Sequence, residues 1–120
     1  YPFGQASVFT LFDDGTYQHF DDKYVPGQPA VCSPTAPKGF VVPQGSFNKV
    51  WCEGTGARVR ERLGWATDLE KSGDGAWQMF DRGIMYWTGA TRQIFALYDT
   101  NSYGQAGFQR WQVFDDTFTP

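Results

Sequence analysis

Residues 8–20 read VFTLFDDGTYQHF, two β-prone runs on either side of an Asp13-Asp14-Gly15 step. Glycine accepts the positive φ that a tight turn requires, and an Asp-Gly step between two β-rich runs is a strong hairpin signal. We therefore expect an antiparallel hairpin in this part of the chain, with strands at residues 6–12 and 16–21.

A similar sequence recurs near the C-terminus. Ile94–Asp99 matches Val8–Asp13, and Arg110–Phe118 matches Thr16–Tyr24, with a longer turn between the two strands of the second copy. This similarity predicts an internal repeat. Since the first copy holds only two strands, it either closes the sheet of the complete unit or comes from a longer array.

Between the copies the chain changes character. Residues 25–45 carry five prolines, which is typical of a loop with little regular structure. We therefore divide a single domain, residues 1–120, into an N-terminal hairpin (1–24) that repeats 94–118, this loop, and a complete repeat unit (46–120).

Two short helices are expected after the loop. Ser46 is the predicted N-cap of the first helix, which runs to Trp51, and Ala57–Leu63 forms the second, ended by Gly64. The apolar side chains of the first helix have the spacing of one helix face. They are Phe47, Val50 and Trp51.

Strands resume after Gly75, with Asp81-Arg82-Gly83 as a hairpin turn in which Gly83 takes a positive φ. The fold class is therefore all-β, or β-dominated with two short helices. We expect one antiparallel barrel-like or sandwich domain. Its six strands are predicted at 6–12, 16–21, 76–81, 84–88, 93–99 and 109–115.

Composition excludes several functions. The net charge is −3, and the only basic cluster is Arg58, Arg60 and Arg62, which we interpret as a solvated face. Without a basic stripe to neutralise phosphates, nucleic acid is not expected as a partner. No apolar run reaches the roughly 18 residues that span a bilayer, so no membrane insertion is expected.

The two cysteines, Cys32 and Cys52, are predicted to form a disulfide, with two buried free thiols as the alternative. A disulfide would indicate an oxidising compartment, and hence an extracellular or cell-surface location. The pair has no CxxC spacing and the chain has one histidine, so no metal site is predicted from these residues.

From Phe47 onward the sequence resembles the LGFP-type repeats of bacterial cell-envelope proteins. The resemblance rests on Lys49-Val50-Trp51, then Leu63-Gly64-Trp65-Ala66, Glu70, and Phe80–Trp87. Trp65-Ala66 stands where the family has Phe-Pro. The chain is also similar to repeated modules of secreted multidomain bacterial proteins. The resemblance implies an extracytoplasmic, wall- or surface-associated module and no defined activity.

The acidic residues and the histidine of this sequence do not form a recognisable catalytic pattern. The acidic pairs Asp13-Asp14, Asp21-Asp22 and Asp115-Asp116 are sequence neighbours, whose side chains point to opposite faces of a strand. The last two pairs recur in both copies, which predicts a loop-capping role, with calcium binding as the alternative. A histidine-dependent triad would require His19, which the second copy replaces by Val113. We therefore expect no enzyme activity and no cofactor.

Aromatic residues make up 18% of the chain, and they pack cores as readily as they bind sugar rings. Positions filled alike in both copies, such as Phe9 and Phe95 or Phe20 and Phe114, are expected to be core. The aromatics without a counterpart are the candidates for an exposed platform: Trp65, Trp77, Tyr86 and Trp87. Their candidate hydrogen-bonding partners are Glu70, Gln78, Asp81 and Arg82.

The leading hypothesis is a non-catalytic module that binds a polysaccharide or cell-wall glycan. One alternative is a structural repeat unit of a surface protein or filament that self-associates through its aromatics. Another is a small glycan hydrolase that uses carboxylates such as Glu70 and Asp81.

Overall fold

The computed structural model describes residues 6–54, 56, 58–98 and 110–119. These residues form six strands and two short helices, which confirms the predicted β-dominated fold class. The elements in chain order are β1 (Ser7–Leu11), β2 (Tyr17–Asp21), α1 (Gly45–Glu53), α2 (Val59–Leu63), β3 (Gly75–Phe80), β4 (Gly83–Thr88), β5 (Gln93–Tyr98) and β6 (Arg110–Asp115).

The strands form two antiparallel sheets. One is the β1–β2 hairpin, and the other has four strands in the order β3-β4-β5-β6. The barrel-like alternative is wrong for the described part of the chain, since β3 and β6 are opposite edges of an open sheet. The turn of the β1–β2 hairpin contacts the first two residues of β6. Thr16 forms a bridge with Arg110, and Trp111 N–H donates to Gly15 O at 2.9 Å. This contact is too short to close the sheet.

The described residues divide into two compact units. One contains residues 6–10, 18–54, 56 and 58–71, and the other contains 11–17, 72–98 and 110–119. The β1–β2 hairpin contributes to both, its turn to the second unit and the rest to the first. The predicted single-domain organisation is not tested by this division and stays a prediction.

The large buried side chains of the second unit lie on one face of the four-stranded sheet. Ile84 and Leu97 are 2% and 1% exposed, and Phe12 and Tyr17 of the hairpin turn are also buried. Tyr17 Oη donates to Tyr98 O at 3.2 Å. Buried aromatic rings that carry a polar atom require such a partner, so the bond allows the hairpin to be part of the core.

The first unit is organised around α1 and the Pro-rich loop. The predicted Cys32–Cys52 disulfide is confirmed, with the two Cα atoms 6.0 Å apart. The buried Asn48 accepts from Val31 N–H and donates to Cys32 O, both at 2.9 Å. The disulfide and the two hydrogen bonds of Asn48 therefore connect α1 to a loop that is not itself held by strand pairing.

The first helix differs from its prediction. Gln44, and not Ser46, is the N-cap, and the Ser46 hydroxyl donates instead to Asp22 Oδ2 at 2.9 Å. Val50 and Trp51 are buried as expected, whereas Phe47 is exposed. The helix begins at Gly45, which has φ +59°, one residue before the predicted N-cap. The serine side chain then reaches the β2 strand end, which competes for its hydroxyl.

The second helix begins at Val59 and ends at Leu63, directly before Gly64, as predicted for its C-terminus. The predicted start, Ala57, lies outside the described residues. Gly64 has φ +75°, a conformation that favours glycine and ends the helix.

The two look-alike segments share a pairing register. Hydrogen bonds from Phe12 N to Thr16 O and from Asp22 N to Ala6 O place Leu11 opposite Tyr17. The corresponding pair of the second segment is Leu97 and Trp111. The longer turn predicted at 100–109 lies outside the described residues, and the repeat itself stays a prediction.

Equivalent positions of the two segments are not equally buried. Phe12 and Tyr17 are core residues, but the corresponding Tyr98 and Trp111 are only partly buried. Phe114, matched to Phe20, is 48% exposed, so the expectation that it belongs to the core is wrong. The pairing register depends on the two strands of a hairpin alone, whereas the burial of a side chain depends on what packs against its face of the sheet.

Gly83 is the position where backbone geometry is most restrictive. It has φ +154°, and a Cβ there would collide with the carbonyl oxygen of Leu97 on the neighbouring strand. We expect Gly83→Ala to lower the free energy of unfolding by at least about 2 kcal/mol, measured by urea denaturation.

Gly73→Ala is the matched control. Its Cβ would lie 3.8 Å from Ala90 Cβ, an ordinary contact, so we expect a change within about 0.5 kcal/mol. Equal effects of the two substitutions would contradict the restriction at Gly83.

Candidate functional site: an aromatic row on the four-stranded sheet

The pairing of β3 to β6 arranges one face of the sheet in rows that cross the strands. Directly opposed residues share a face, and side chains alternate between faces along each strand. Trp77 pairs with Tyr86, and Tyr86 pairs with Phe95. We call these three residues the aromatic row. It spans two strand spacings, about 10 Å.

Exposure changes along the aromatic row. Trp77, on the edge strand, is 51% exposed, whereas Tyr86 and Phe95 are partly buried. Phe95 also contacts Trp111, with ring centroids 6.1 Å apart and planes inclined by 45°. The inner ring is therefore supported by its neighbour, while the outer ring is open to solvent.

A second row on the same face is polar. Thr88 pairs with Gln93, and Gln93 pairs with Asp115. We call these the polar row, and it lies one side-chain repeat, roughly 6.5 Å, from the aromatic row. Thr88 Oγ1 lies 2.7 Å from Thr91 Oγ1, and Asp115 is exposed. Hydroxyl, amide and carboxylate groups thus flank the rings.

The third row of this face, on the other side of the aromatic row, is the core. It consists of Met79, Ile84, Leu97 and Trp111, paired across the four strands. Trp111 Nε1 donates to Phe12 O at 2.9 Å, which holds the hairpin turn against this row. The aromatic row therefore lies between the core and a polar, solvent-facing strip.

Tyr86 is the central ring of the aromatic row. Partial burial raises the pKa of its phenol above the ordinary value of 10.0, because the interior disfavours the phenolate. The hydroxyl therefore stays protonated at neutral pH, where it can act as a hydrogen-bond donor.

Gln78 and Trp87 point to the opposite face of the sheet, because side chains alternate between faces along β3 and β4. Trp87 is partly buried, and its Nε1 donates to Asp116 Oδ2 at 2.8 Å. Its indole is thus bonded to the end of β6. These two predicted site residues do not lie beside Trp77 and Tyr86.

Asp81 and Arg82 form the exposed turn between β3 and β4. They line one end of a cavity of about 320 Å³ that extends over the face opposite the aromatic row. Gly83 and Ala96 contribute to this cavity, together with the more exposed Phe80 and Met85. Asp81 and Arg82 are therefore neighbours of a different surface from the one that carries Trp77.

Trp65 and Glu70 belong to the first unit. Trp65 packs against Trp51 with ring centroids 5.5 Å apart, and Arg60 lies over both rings at 5.4 and 4.6 Å. This cation–π contact binds one of the three clustered arginines to aromatic rings, although all three remain exposed. Glu70 is exposed and lies outside any helix or strand.

The predicted capping role of the strand-end aspartates is observed in both look-alike segments. Asp22 Oδ1 accepts from Tyr24 N–H, and Asp116 Oδ1 accepts from Phe118 N–H, both at 3.1 Å. Each aspartate thus bonds the amide two residues ahead, as in an Asx turn. In the described part of the chain, no three His, Cys, Asp or Glu side chains are grouped as a metal would require.

His19 lies in the first unit, on β2. Its Nε2 is 2.9 Å from Ser7 Oγ, and its ring stacks on Phe9 with centroids 4.7 Å apart. Burial lowers the pKa of the imidazole below 6.5, and the nearby Asp21 carboxylate opposes this shift. The imidazole is therefore neutral at pH 7 and packs as part of the hairpin.

Sequence reasoning missed four members of this surface: Phe95, Thr88, Gln93 and Asp115. Phe95 was assigned to the core because Phe9 occupies the matching position. A usable signal was the two-residue loop at Asp81-Arg82, which fixes Trp77 opposite Tyr86. The four-residue loop after Thr88 then places Tyr86 opposite Phe95.

No protein-family model, curated protein or solved structure matches the chain. Of the helices in the described ranges, none has the length and apolar character required to cross a membrane.

The lowered pKa of His19 makes stability depend on pH. The unfolded chain takes up a proton on His19 near pH 6.5, whereas the folded chain resists protonation. The contribution of neutral His19 to the free energy of unfolding is therefore fully present above that pH and is lost as the pH falls through it. We expect wild type to lose more unfolding free energy than His19→Gln between about pH 7.5 and 5, measured by urea denaturation. Parallel pH profiles of the two proteins would contradict this assignment.

Proposed function

We propose that the chain is a non-catalytic carbohydrate-binding module whose platform is the aromatic row. The observation that supports this most directly is the register that places Trp77, Tyr86 and Phe95 side by side, with the polar row next to them. Sugar rings have an apolar face that stacks on aromatic rings and hydroxyls that need hydrogen-bonding partners. The two rows offer both.

The division of roles follows from exposure. Trp77, half exposed at the edge strand, is the main stacking surface. Tyr86 is partly buried and carries a phenol that stays protonated, so it combines a ring contact with a donor. Gln93 and Asp115 supply an amide and a carboxylate that accept bonds from sugar hydroxyls.

The size of the platform favours an oligosaccharide over a monosaccharide. A row of about 10 Å accommodates two linked pyranose rings lying across the strands. Trp77 is half exposed at the edge of the sheet, so binding would rely on stacking and a few hydrogen bonds. We therefore expect modest affinity for a repeating polymer, where neighbouring units can rebind.

The cellular setting is part of the same proposal. The disulfide supports an oxidising compartment, and the sequence resemblance to LGFP-type repeats supports attachment to a bacterial wall or surface. A wall glycan or an extracellular polysaccharide is therefore the ligand class that we propose.

The direct test is retention on insoluble polysaccharides, including peptidoglycan, chitin and cellulose, followed by titration with the corresponding oligosaccharides. We expect Trp77→Ala to weaken binding by about ten-fold, because it removes the exposed stacking ring. Tryptophan fluorescence of the wild type should change on binding, and this signal should be lost in the variant.

Phe80→Ala is the matched control. Phe80 lies on the same strand with nearly the same exposure, 48%, but on the opposite face. It should leave binding unchanged. The proposal fails if no polysaccharide retains the protein, or if the Phe80 and Trp77 substitutions weaken binding equally.

A further inference from the structure

We propose that the surface around the aromatic row selects glycans that carry protonated amino groups, and that the Asp115 carboxylate is the group that selects them. This inference rests on the proposed glycan binding and adds to it the chemical class of the sugar.

The face of the sheet that carries the aromatic row is almost free of charge. Side chains alternate between the two faces along each strand, so the pairing assigns the odd-numbered residues of β3, β5 and β6 and the even-numbered residues of β4 to this face. Among these residues of the four described strands, Asp115 is the one that is charged at neutral pH. A glycan that lies on this face therefore meets a negative charge and no positive one.

Asp115 is available to a ligand. Its side chain is exposed, and in the described part of the chain it has no hydrogen bond and no ion pair. The charges nearby do not neutralise it. The Arg92 guanidinium lies 3.8 Å from Asp116 Oδ2 and is thus matched by a different carboxylate. Asp74, whose carbonyl accepts from Gly89 N–H at the same end of the sheet, adds a further negative charge.

The aromatic row continues as an apolar strip toward Asp115. Phe95 pairs with Val113 on β6, and Val113 is 42% exposed. The strip therefore crosses all four strands, over about 14 Å, which is the length of roughly three linked pyranose rings when 10 Å accommodates two.

The carboxylate lies beside the last ring of such a chain. Asp115 follows Val113 by two residues on the same face of β6, a separation of roughly 6.5 Å. A sugar ring over Val113 would thus direct its substituents toward the carboxylate, while Trp77 and Tyr86 hold the rings before it.

The charge decides which substituent is favoured. An ammonium group attracts a carboxylate and donates hydrogen bonds to it, whereas the carboxylate of a uronic acid is repelled. An acetamido group is neutral and experiences neither effect. Exposed charge pairs are weak, so Asp115 acts as a selector among sugars that the aromatic rings already hold.

Three trisaccharides test this selection: the trimers of glucosamine, N-acetylglucosamine and galacturonic acid. They are titrated by calorimetry at low ionic strength, in a mildly acidic buffer that keeps the sugar amines protonated. We expect the glucosamine trimer to bind about three-fold more tightly than the N-acetylated trimer, and the uronic acid trimer to bind most weakly. High salt should reduce this preference, because it screens exposed charges.

Asp115→Asn removes the charge and keeps an acceptor oxygen in the same place. The readout is the ratio of the affinities for the glucosamine and N-acetylglucosamine trimers, which should fall by about three-fold. Asp81→Asn is the matched control, because Asp81 is also exposed but lies in the β3–β4 turn, beside the cavity on the opposite face. It changes the net charge by the same amount and should leave the ratio at its wild-type value.

The outcomes separate the selection from the glycan binding on which it depends. If the trimers bind but Asp115→Asn leaves the ratio unchanged, or lowers it no more than Asp81→Asn does, the role of Asp115 is overturned and the platform stands. If neutral polysaccharides retain the protein and no glucosamine trimer binds, the amino-sugar class is overturned. If nothing binds, both proposals fail.

Discussion

The pairing register of β3 with β4 is the constraint on which the rest of the second unit depends. A shift by one residue would move every side chain of β3 to the other face. The two-residue turn leaves little freedom, and Gly83 adds a steric restriction, because only a residue without Cβ fits beside the carbonyl of Leu97. Trp77 consequently lies beside Tyr86 and not on the face that carries Gln78.

The same register explains the graded character of the face. The row nearest the β3–β4 turn is the most buried, because the turn of the β1–β2 hairpin packs against it. Hydrogen bonds from Trp111 to Phe12 and from Tyr17 to Tyr98 hold that hairpin turn in place. The row at the opposite end carries polar groups. The aromatic row between them has one side in the core, which restrains its rings. A restrained ring loses little conformational freedom when a ligand stacks on it.

Sequence predicted what depends on local chemistry. The strands and the aspartate caps follow from residue type and spacing within a few positions, and the disulfide follows from the presence of two cysteines. What it did not predict depends on partners distant in the chain. Ser46 was assigned to its own helix, but Asp22 accepts its hydroxyl. The match to Phe20 predicts that Phe114 is core, but Phe114 is 48% exposed. The polar row could be identified only once the loops had fixed which residues oppose one another.

A sheet presents different chemistry at its faces and at its edges. Side chains project from the faces, while the free N–H and C=O groups lie in the plane of the sheet. A ligand that stacks on the aromatic row would therefore contact side chains and leave the backbone groups of the edge strands uncovered.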